Sequence, residues 1–285
     1  MEFICNLCGR PNRAPSESLD REKPSCSFCG SNVRTRGLVH TLSIELFGAS
    51  MPLPDFPRIK SLRAMGASDS HQYADRLAEK FDYRNTFYDR APRFDIMNPA
   101  EEEYGKYDFL ISSEVFEHVA PPAEAAFHNA CRVLKPDGFL VLTAPYSIDQ
   151  STAEHFPDLY QFGMARIGDQ VVLVNRTREG RLQVFENLVF HRNGPGEVLE
   201  MREFSQSCLT TMLTAAGFTD VRIYAEDHPR FGIVYAGAWS LPMVAHKRPF
   251  TLGADAAHEL VEQWREMMRI RKKFWVRLGA KIGLL

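Results

Sequence analysis

Two Cys-x-x-Cys pairs near the start of the chain constrain its fold more strongly than any other feature of the sequence. Cys5 and Cys8 form the first pair, and Cys26 and Cys29 form the second after 17 intervening residues. Four thiolates at this spacing are typical of a tetrahedral structural zinc site, and the glycine after each pair permits a tight turn. The intervening segment is rich in Pro, Ser and Arg and has few apolar residues, so it needs such a staple to fold.

A redox pair and two disulfides are the alternatives for these cysteines. The first residues show no basic region followed by an apolar core, so we see no secretory signal and expect a cytoplasmic protein. Disulfides are rare in that reducing compartment. A zinc ion with four cysteine ligands has no open coordination position, so we expect it to support structure rather than catalysis. Cys131 and Cys208 are isolated and are expected to be ordinary buried thiols.

Composition excludes several classes of protein. Of the 285 residues, 45% are hydrophobic and 25% are charged, which is typical of a soluble globular chain. The uncharged stretch 232–245 has 14 residues and contains a proline, so it is too short for a transmembrane helix. The formal charge of −2 weighs against a nucleic-acid partner.

Strands and helices alternate through the body of the chain. A helix over Val33–Phe47 and a proline-rich linker over Met51–Arg58 come first. The apolar patterns then predict strands at 59–65, 86–88, 107–112, 139–143, 221–224 and 233–236, and helices at 70–81, 122–133 and 205–216. Such alternation predicts an α/β fold with a mainly parallel sheet, helices on both faces and ligands beyond the carboxyl ends of the strands.

The pattern changes from Asp149 to Arg202. Strands at 170–175 and 182–190 surround a hairpin signal, so we expect a β-hairpin lid insertion over 149–203. A long helix follows over 254–284. We therefore divide the chain into a zinc-binding module plus helix (1–50), a main domain (51–250) and a C-terminal basic amphipathic helix (251–285).

One segment carries a family resemblance. Residues 107–146 read YDFLISSEVFEHVAPPAEAAFHNACRVLKPDGFLVLTAPY, in which SSEVFEHV, RVLKPDG and FLVLTAPY are the matching elements. The segment resembles the class I S-adenosylmethionine-dependent methyltransferases, and the resemblance extends over about 59–246. It implies a Rossmann-like fold with a mainly parallel seven-stranded sheet. It also implies S-adenosylmethionine as methyl donor, bound across the carboxyl ends of the first, second and fourth strands.

The same resemblance assigns cofactor-binding positions. The loop after the first strand, which contains Gly66 and Ser68, normally has an acidic residue followed by two or three glycines, and this chain keeps one glycine. Asp89, at the end of the second strand, is the candidate for the ribose hydroxyls. Asp95 is the candidate for the adenine amine. At the end of the fourth strand, the resemblance implies that Ser113 and Glu114 face the cofactor.

Methyl transfer to a hydroxyl needs a base, because the attacking oxygen must lose its proton. His118 is the first candidate and His155, beyond the next strand, is the second. Glu114, Glu117 and His118 also form an ExxEH pattern similar to that of metal-dependent small-RNA 2′-O-methyltransferases. With His155 as a later ligand, they could bind Mg²⁺ or another divalent ion that activates the acceptor. The alternative is that Glu117 and His118 simply begin a helix, where an acid favours the helix dipole.

The lid indicates the acceptor. Its polar and aromatic residues suit a hydroxylated ligand better than an apolar one. These residues are His155, Tyr160, Phe162, Arg166, Asn175, Arg176, Arg178, Asn187, His191 and Arg192. The whole layout resembles bacterial proteins of surface-glycan modification, which implies O-methylation of a sugar, nucleotide-sugar or glycan.

Other readings of the chain stay open. One alternative is a methyltransferase for a small metabolite or for nucleic acid, which the module, Arg34, Arg36 and the C-terminal helix would grip. Another is a non-catalytic binding module. The helix has seven basic residues and one acidic residue over 265–281, which suits contact with a membrane surface. Its apolar stripe, which includes Trp264 and Met267, can instead pack on its own domain or on a dimer partner.

Overall fold

The computed structural model describes residues 1–186, 188–193 and 196–281, apart from the side chains of 191–193, 196–197 and 272–281. Its elements, in chain order, are β1 (Glu2–Ile4), β2 (Pro11–Arg13), α1 (Val33–Phe47), β3 (Ile59–Ala67), α2 (His71–Lys80), β4 (Phe81–Thr86), β5 (Tyr107–Ser113), α3 (Glu124–Val133), β6 (Leu134–Thr143), β7 (Tyr146–Ser147), β8 (Ala153–Glu154), β9 (Gln161–Ile167), β10 (Gln170–Arg176), β11 (Leu182–Phe185), β12 (Phe190–Asn193), β13 (Gly196–Leu199), β14 (Arg202–Ser205), α4 (Gln206–Ala215), β15 (Asp220–Ile223), β16 (Met243–His246) and α5 (Ala254–Lys281).

The central sheet has the strand order β15-β16-β6-β5-β3-β4. The four strands β4, β3, β5 and β6 are parallel, and β16 and β15 continue the sheet in antiparallel register. The Rossmann-like α/β prediction is confirmed. The described part of the chain gives this sheet six strands rather than seven. Between β4 and β5, the residues around Pro92 and Pro99 form turns, because proline supplies no N–H to a strand ladder.

Two strand positions differ from the sequence prediction. The second strand is 81–86 rather than 86–88, so it begins directly after α2. The predicted closing strand at 233–236 is wrong, because β16 occupies that place in the sheet. Ile233 forms only an isolated bridge with His228, whereas Met243–His246 pairs with β6 over its whole length. Residues 233–236 are apolar, as a strand would be, but Met243–His246 is the segment that pairs with β6.

Both faces of the sheet are covered. Because side chains alternate along a strand, Phe109 and Leu110 of β5 point to opposite faces. The Phe109 ring lies on the face covered by α1 and α2. Its centroid is 5.5 Å from that of Phe81 and 5.7 Å from that of Phe139. Leu110 lies on the other face with the buried residues of α3 and α4.

The cysteine module shares a buried cluster with one face of the sheet. Phe3, Cys5 and Leu7 belong to the same buried cluster as Phe109. Helix α1 begins at Asn32, whose side chain accepts a hydrogen bond from the backbone N–H of residue 35, and ends before a left-handed glycine. Leu38, Leu42 and Leu46 of α1 are buried, and so are Thr41 and Ser43, because α1 lies between the module and the sheet.

The insertion forms small sheets of its own. Strands β11-β10-β9 make one antiparallel sheet, β12 and β13 make a hairpin, and β7-β14-β8 join the insertion to the body. The predicted strand 182–190 is therefore two strands, β11 and β12, and Asn187 between them lies outside the described residues.

Helix α5 is attached to the body by its first turns. The Glu259 carboxylate accepts hydrogen bonds from the backbone N–H groups of Lys60 (2.6 Å) and Ser61 (2.9 Å) at the start of β3. Trp264 and Met267 are exposed, and the predicted residues 282–284 lie outside the described range. The membrane or dimer contact stays a prediction. No helix within the described residues is long and apolar enough to cross a membrane.

Candidate functional site

The four cysteine sulfurs of the N-terminal module converge on one point. All four Sγ atoms lie within 4.8 Å of one another, with Cys5–Cys29 at 3.6 Å and Cys8–Cys26 at 3.8 Å. A tetrahedron with Zn–S bonds of about 2.3 Å has sulfur–sulfur edges of about 3.8 Å, whereas a disulfide bond is about 2.0 Å long. The donor set and the spacing therefore fit a four-coordinate zinc ion, and all four cysteines are unbridged.

A glycine follows each cysteine pair because the chain turns tightly there. The N–H of Gly9 donates to the carbonyl of Cys5 at 2.7 Å, and the N–H of Gly30 donates to that of Cys26 at 2.9 Å. Both glycines have positive φ, +75° and +68°, which a side chain would disfavour.

The carboxyl end of β5 is the second part of the site. The Ser113 hydroxyl lies 2.9 Å from that of Thr143, which ends β6, and the N–H of Glu114 donates to the Thr143 carbonyl at 2.9 Å. Glu114 itself has a φ of +57°, so the chain leaves the strand through a strained turn. The two predicted cofactor residues of this strand therefore lie at the edge where α/β sheets bind ligands.

Arginines of the cysteine module reach this edge, which the sequence did not indicate. Arg21 binds Glu114 with two hydrogen bonds of 2.7 and 3.1 Å, and Arg34 donates to the Ser113 hydroxyl at 2.5 Å. Burial alone would raise the pKa of Glu114, but the positive charges of Arg21 and Arg34 hold it below its usual value. The carboxylate is therefore ionised.

These contacts weaken the nucleic-acid alternative. Arg36 is fully buried and donates to the carbonyls of Ser31 and Gly232, each at 2.9 Å. Burial lowers the pKa of Arg36, despite the neighbouring cysteines. Arg34 also points inward, so neither arginine offers the surface grip that this alternative requires.

The loop after β3 has an acid beside its single glycine. Asp69 accepts hydrogen bonds from the hydroxyls of Tyr73 (2.7 Å) and Tyr83. A Cβ atom on Gly66 would lie 2.1 Å from the Tyr83 hydroxyl, so this packing alone requires glycine there. Ser68 is exposed with a φ of +58°. The predicted cofactor contacts of Gly66 and Ser68 stay predictions, and Asp69 is a residue that the sequence analysis missed.

The two predicted adenosine-binding acids lie in the loop between β4 and β5. Asp89 is exposed, three residues beyond β4, and lies 3.6 Å from Arg90. Asp95 accepts hydrogen bonds from the N–H of Met97 at 2.9 Å and the amide of Asn98 at 3.1 Å. Asp95 thus stabilises its own turn, and the cofactor roles of both acids stay predictions.

Glu117 and His118 lie in a short 3-10 turn after β5. Nδ1 of His118 is 2.9 Å from the carbonyl oxygen of Leu199, and its Nε2 is 3.6 Å from the Glu117 carboxylate. Glu117 is fully buried. Burial, together with the charge of Glu114, raises the pKa of Glu117 well above its usual value. The site therefore favours the neutral form of Glu117 more strongly than water does.

The insertion brings His155 to the same place. The N–H of His155 donates to the carbonyl of Met201, and the N–H of Met201 donates to the carbonyl of Glu117, both at 2.9 Å. Nε2 of His155 is 2.7 Å from a carboxylate oxygen of Glu200. The structure thus gathers the three predicted catalytic residues, and adds Glu200, which is 45 positions from its partner and has no sequence motif.

The side chains of the predicted divalent-ion site do not converge in this structure, and the site stays a prediction. Among the described residues, only the four cysteines form a group of three or more His, Cys, Asp or Glu side chains that could hold a metal ion. Arg21 binds the carboxylate of Glu114, and burial raises the pKa of Glu117, so the two acids do not present a pair of free carboxylates to an ion.

Of the predicted acceptor residues in the lid, Tyr160, Phe162 and Arg166 are exposed. Asn175 is buried, donates to the Asp158 carbonyl and accepts from the N–H of Tyr160, so it holds the lid together. The side chains of His191 and Arg192 lie outside the description.

Comparisons agree with this fold. The family described as "Methyltransferase domain" matches residues 65–223. Similar solved structures include the Burkholderia thailandensis 1,6-didemethyltoxoflavin-N1-methyltransferase, at 16% identity over 74% of this chain and 78% of that one, with a TM-score of 0.41. A putative S-adenosylmethionine-dependent methyltransferase from Listeria monocytogenes is 13% identical over 75% of this chain and 99% of that one, with a TM-score of 0.43. No curated protein matched the chain.

These structural similarities are too distant to indicate an acceptor. The family match, however, extends over more than half of the chain, from β3 through the insertion to β15. It includes the parallel strands, the carboxyl edge with Ser113 and Glu114, and the acid and imidazole cluster. The protein therefore belongs to the methyltransferase-domain family.

Proposed function

We propose that the protein is an S-adenosylmethionine-dependent O-methyltransferase whose acceptor is a hydroxyl group of a sugar, nucleotide-sugar or glycan. The observation that carries the proposal is the pair formed by His155 and Glu200, which lies beside Glu117 and His118 at the carboxyl edge of the sheet. The acceptor oxygen would attack the methyl carbon as the bond from carbon to sulfur breaks. S-Adenosylhomocysteine then leaves, and the hydroxyl proton passes to a base.

His155 is the better base of the two histidines. Its side chain is 27% exposed, against 9% for His118, so an acceptor can reach it. When Nε2–H donates to Glu200, Nδ1 carries the lone pair that takes the proton. Glu200 then stabilises the imidazolium that forms. His118 donates from Nδ1 to the Leu199 carbonyl, which suits a positioning role.

Glu117 has a different role in this proposal. Burial raises the pKa of Glu117 well above its usual value and so favours the neutral carboxyl group, which has no negative charge to take the proton of the acceptor. Its neutral form limits the negative charge next to Glu114 and Glu200. We therefore assign Glu117 to the electrostatics of the cluster rather than to proton transfer.

The lid supports a hydroxylated acceptor. Tyr160 and Arg178 form a cation–π pair, with the guanidinium 5.0 Å from the ring centre, and Arg166 is exposed on β9. Aromatic faces and several donors together suit a sugar better than an apolar ligand.

Methyl transfer from labelled S-adenosylmethionine tests the proposal. The assay compares sugar nucleotides and glycans with RNA oligonucleotides and small phenols. His155→Gln is expected to lower kcat about 10²- to 10⁴-fold without changing the affinity for S-adenosylhomocysteine, and higher pH should not restore it. His128→Gln, at an exposed position of α3, is the matched control.

Three outcomes would contradict the proposal. Failure to bind S-adenosylmethionine would favour the non-catalytic binding module. Label transferred only to RNA would favour the nucleic-acid alternative. Full activity of the His155→Gln variant would exclude its role as the base.

We also propose that Cys5, Cys8, Cys26 and Cys29 bind one structural zinc ion, which the sulfur spacing supports. The ion would hold the two knuckles together, and it takes no part in the methyl transfer. Elemental analysis of the purified protein should give one zinc per chain. Cys8→Ser should lose the metal, whereas Cys208→Ser should keep it.

A further inference from the structure

The cysteine module reaches the switch point of the sheet. The chain leaves β3 for β4 on one side and returns to β5 on the other, and ligands of α/β sheets bind in the crevice at such a point. The module contacts both sides of this crevice. The Gln72 amide, on the first turn of α2, donates to the Gly30 carbonyl at 3.0 Å, and Arg34 donates to the Ser113 hydroxyl at 2.5 Å.

Arg34 already binds a carboxylate at this point. Its Nε lies 3.0 and 3.1 Å from the two carboxylate oxygens of Glu22, and its Nη2 lies 2.9 Å from one of them. Arg21 also contacts Glu22, and it donates two hydrogen bonds to Glu114 and one, from Nε, to the Ser240 carbonyl at 3.0 Å. The two arginines therefore hold two carboxylates, of which Glu114 is fixed at the sheet and Glu22 is half exposed on the module.

The environment of Arg34 suits an exchange of partners. A guanidinium binds any carboxylate in the same forked geometry, so replacing one carboxylate by another leaves no charge unpaired. Glu22 can leave because half of its side chain is already in water. A cavity of about 40 Å³ beside both arginines, lined on the far side by residues 234–237 and 239–242, has room for a few atoms.

We propose that Arg34, assisted by Arg21, binds the carboxylate of the amino-acid part of the methyl donor, and that Glu22 takes its place when the donor is absent. This inference rests on the proposed function, because it assumes a donor with a free carboxylate. It assigns the cysteine module a direct part in cofactor binding. The loop after β3 keeps one glycine, so a cation from the module supplies the recognition of the donor's charged end.

Calorimetry on the full-length protein tests the inference with two ligands. S-Adenosylhomocysteine has the carboxylate, and 5′-methylthioadenosine has the same adenosine and thioether without it. Arg34→Gln should weaken the binding of S-adenosylhomocysteine about 10- to 100-fold, as expected for a lost charged hydrogen bond. The affinity for 5′-methylthioadenosine should stay unchanged. Arg34→Lys, which keeps the charge but not the fork, should show a smaller loss. Arg13→Gln, exposed on the module, is the control.

Glu22→Gln should change the affinity in the opposite direction, and Glu22 itself does not bind the donor in this proposal. It should tighten S-adenosylhomocysteine about two- to fivefold, because a half-exposed ion pair no longer competes. Equal weakening of both ligands by Arg34→Gln, no weakening of either, or weaker binding in Glu22→Gln would overturn the inference. Wild-type protein that binds neither ligand would contradict the proposed function itself. Unfolding temperatures verify that each variant folds, and the Glu22 variant tests the idea even where an Arg34 variant is unstable.

Discussion

Asp69 makes the stability of the protein depend on pH in an unusual direction. Its side chain is 3% exposed and lies between the hydroxyls of Tyr73 and Tyr83. Burial raises the pKa of Asp69 to about 7, although both hydroxyls donate to the carboxylate and favour its ionised form. Most aspartates stabilise a fold as they ionise, whereas this one is expected to destabilise it.

The magnitude follows from proton linkage. The unfolded chain releases the Asp69 proton near pH 4, and the native protein keeps it until about pH 7. Between these values the native state binds more protons, so its stability falls as pH rises. About three pKa units, at about 1.4 kcal/mol each, give a loss of about 4 kcal/mol. Above about pH 7 both states are ionised, and this contribution stays constant.

Urea unfolding of wild type and Asp69→Asn, at steps from pH 4.5 to pH 8.5, measures this contribution. The free energy of unfolding of wild type, relative to the variant, should fall across the window and then level off. Taking the difference cancels the cysteines and the other carboxylates, which both proteins share. Asp75→Asn, at an exposed position of α2, should give curves parallel to wild type. Parallel curves for Asp69→Asn as well would refute the raised pKa.

Three further perturbations test the packing. Gly66→Ala should lower the free energy of unfolding by about 1–3 kcal/mol, because its Cβ would overlap the Tyr83 hydroxyl, and Gly163→Ala, with open space around its Cβ, should change it little. Arg202→Met should lower the free energy of unfolding by about 1–3 kcal/mol, because the buried Arg202 side chain donates a hydrogen bond from the lid to the carbonyl of residue 119. Arg181→Met, at an exposed position, should leave the stability unchanged, and equal effects of the two variants would contradict this expectation. Removal of the proposed zinc ion by a chelator should lower the unfolding temperature in a single transition, because the module shares the main buried cluster. A separate early transition would show that the module unfolds alone.

Local patterns in the sequence predicted the features that depend on neighbouring residues. The two cysteine pairs, their glycines and the strand from Tyr107 can be recognised because a knuckle or an apolar strand depends on a few consecutive positions. The closing strand was placed wrongly for the same reason. Residues 233–236 and Met243–His246 are both short and apolar, and only pairing with β6 distinguishes them.

The sequence by itself determined the α/β class, the four cysteines that converge and the carboxyl edge that carries Ser113 and Glu114. The tertiary structure decided which side chains meet there. Arg21 reaches Glu114 over 93 positions and His155 reaches Glu200 over 45, and no periodic pattern encodes either pair. Such contacts arise because folding brings distant segments onto one edge of the sheet. The tertiary environment then separates the two acids: Arg21 and Arg34 lower the pKa of Glu114 against the effect of burial, whereas burial raises the pKa of Glu117, three positions further on.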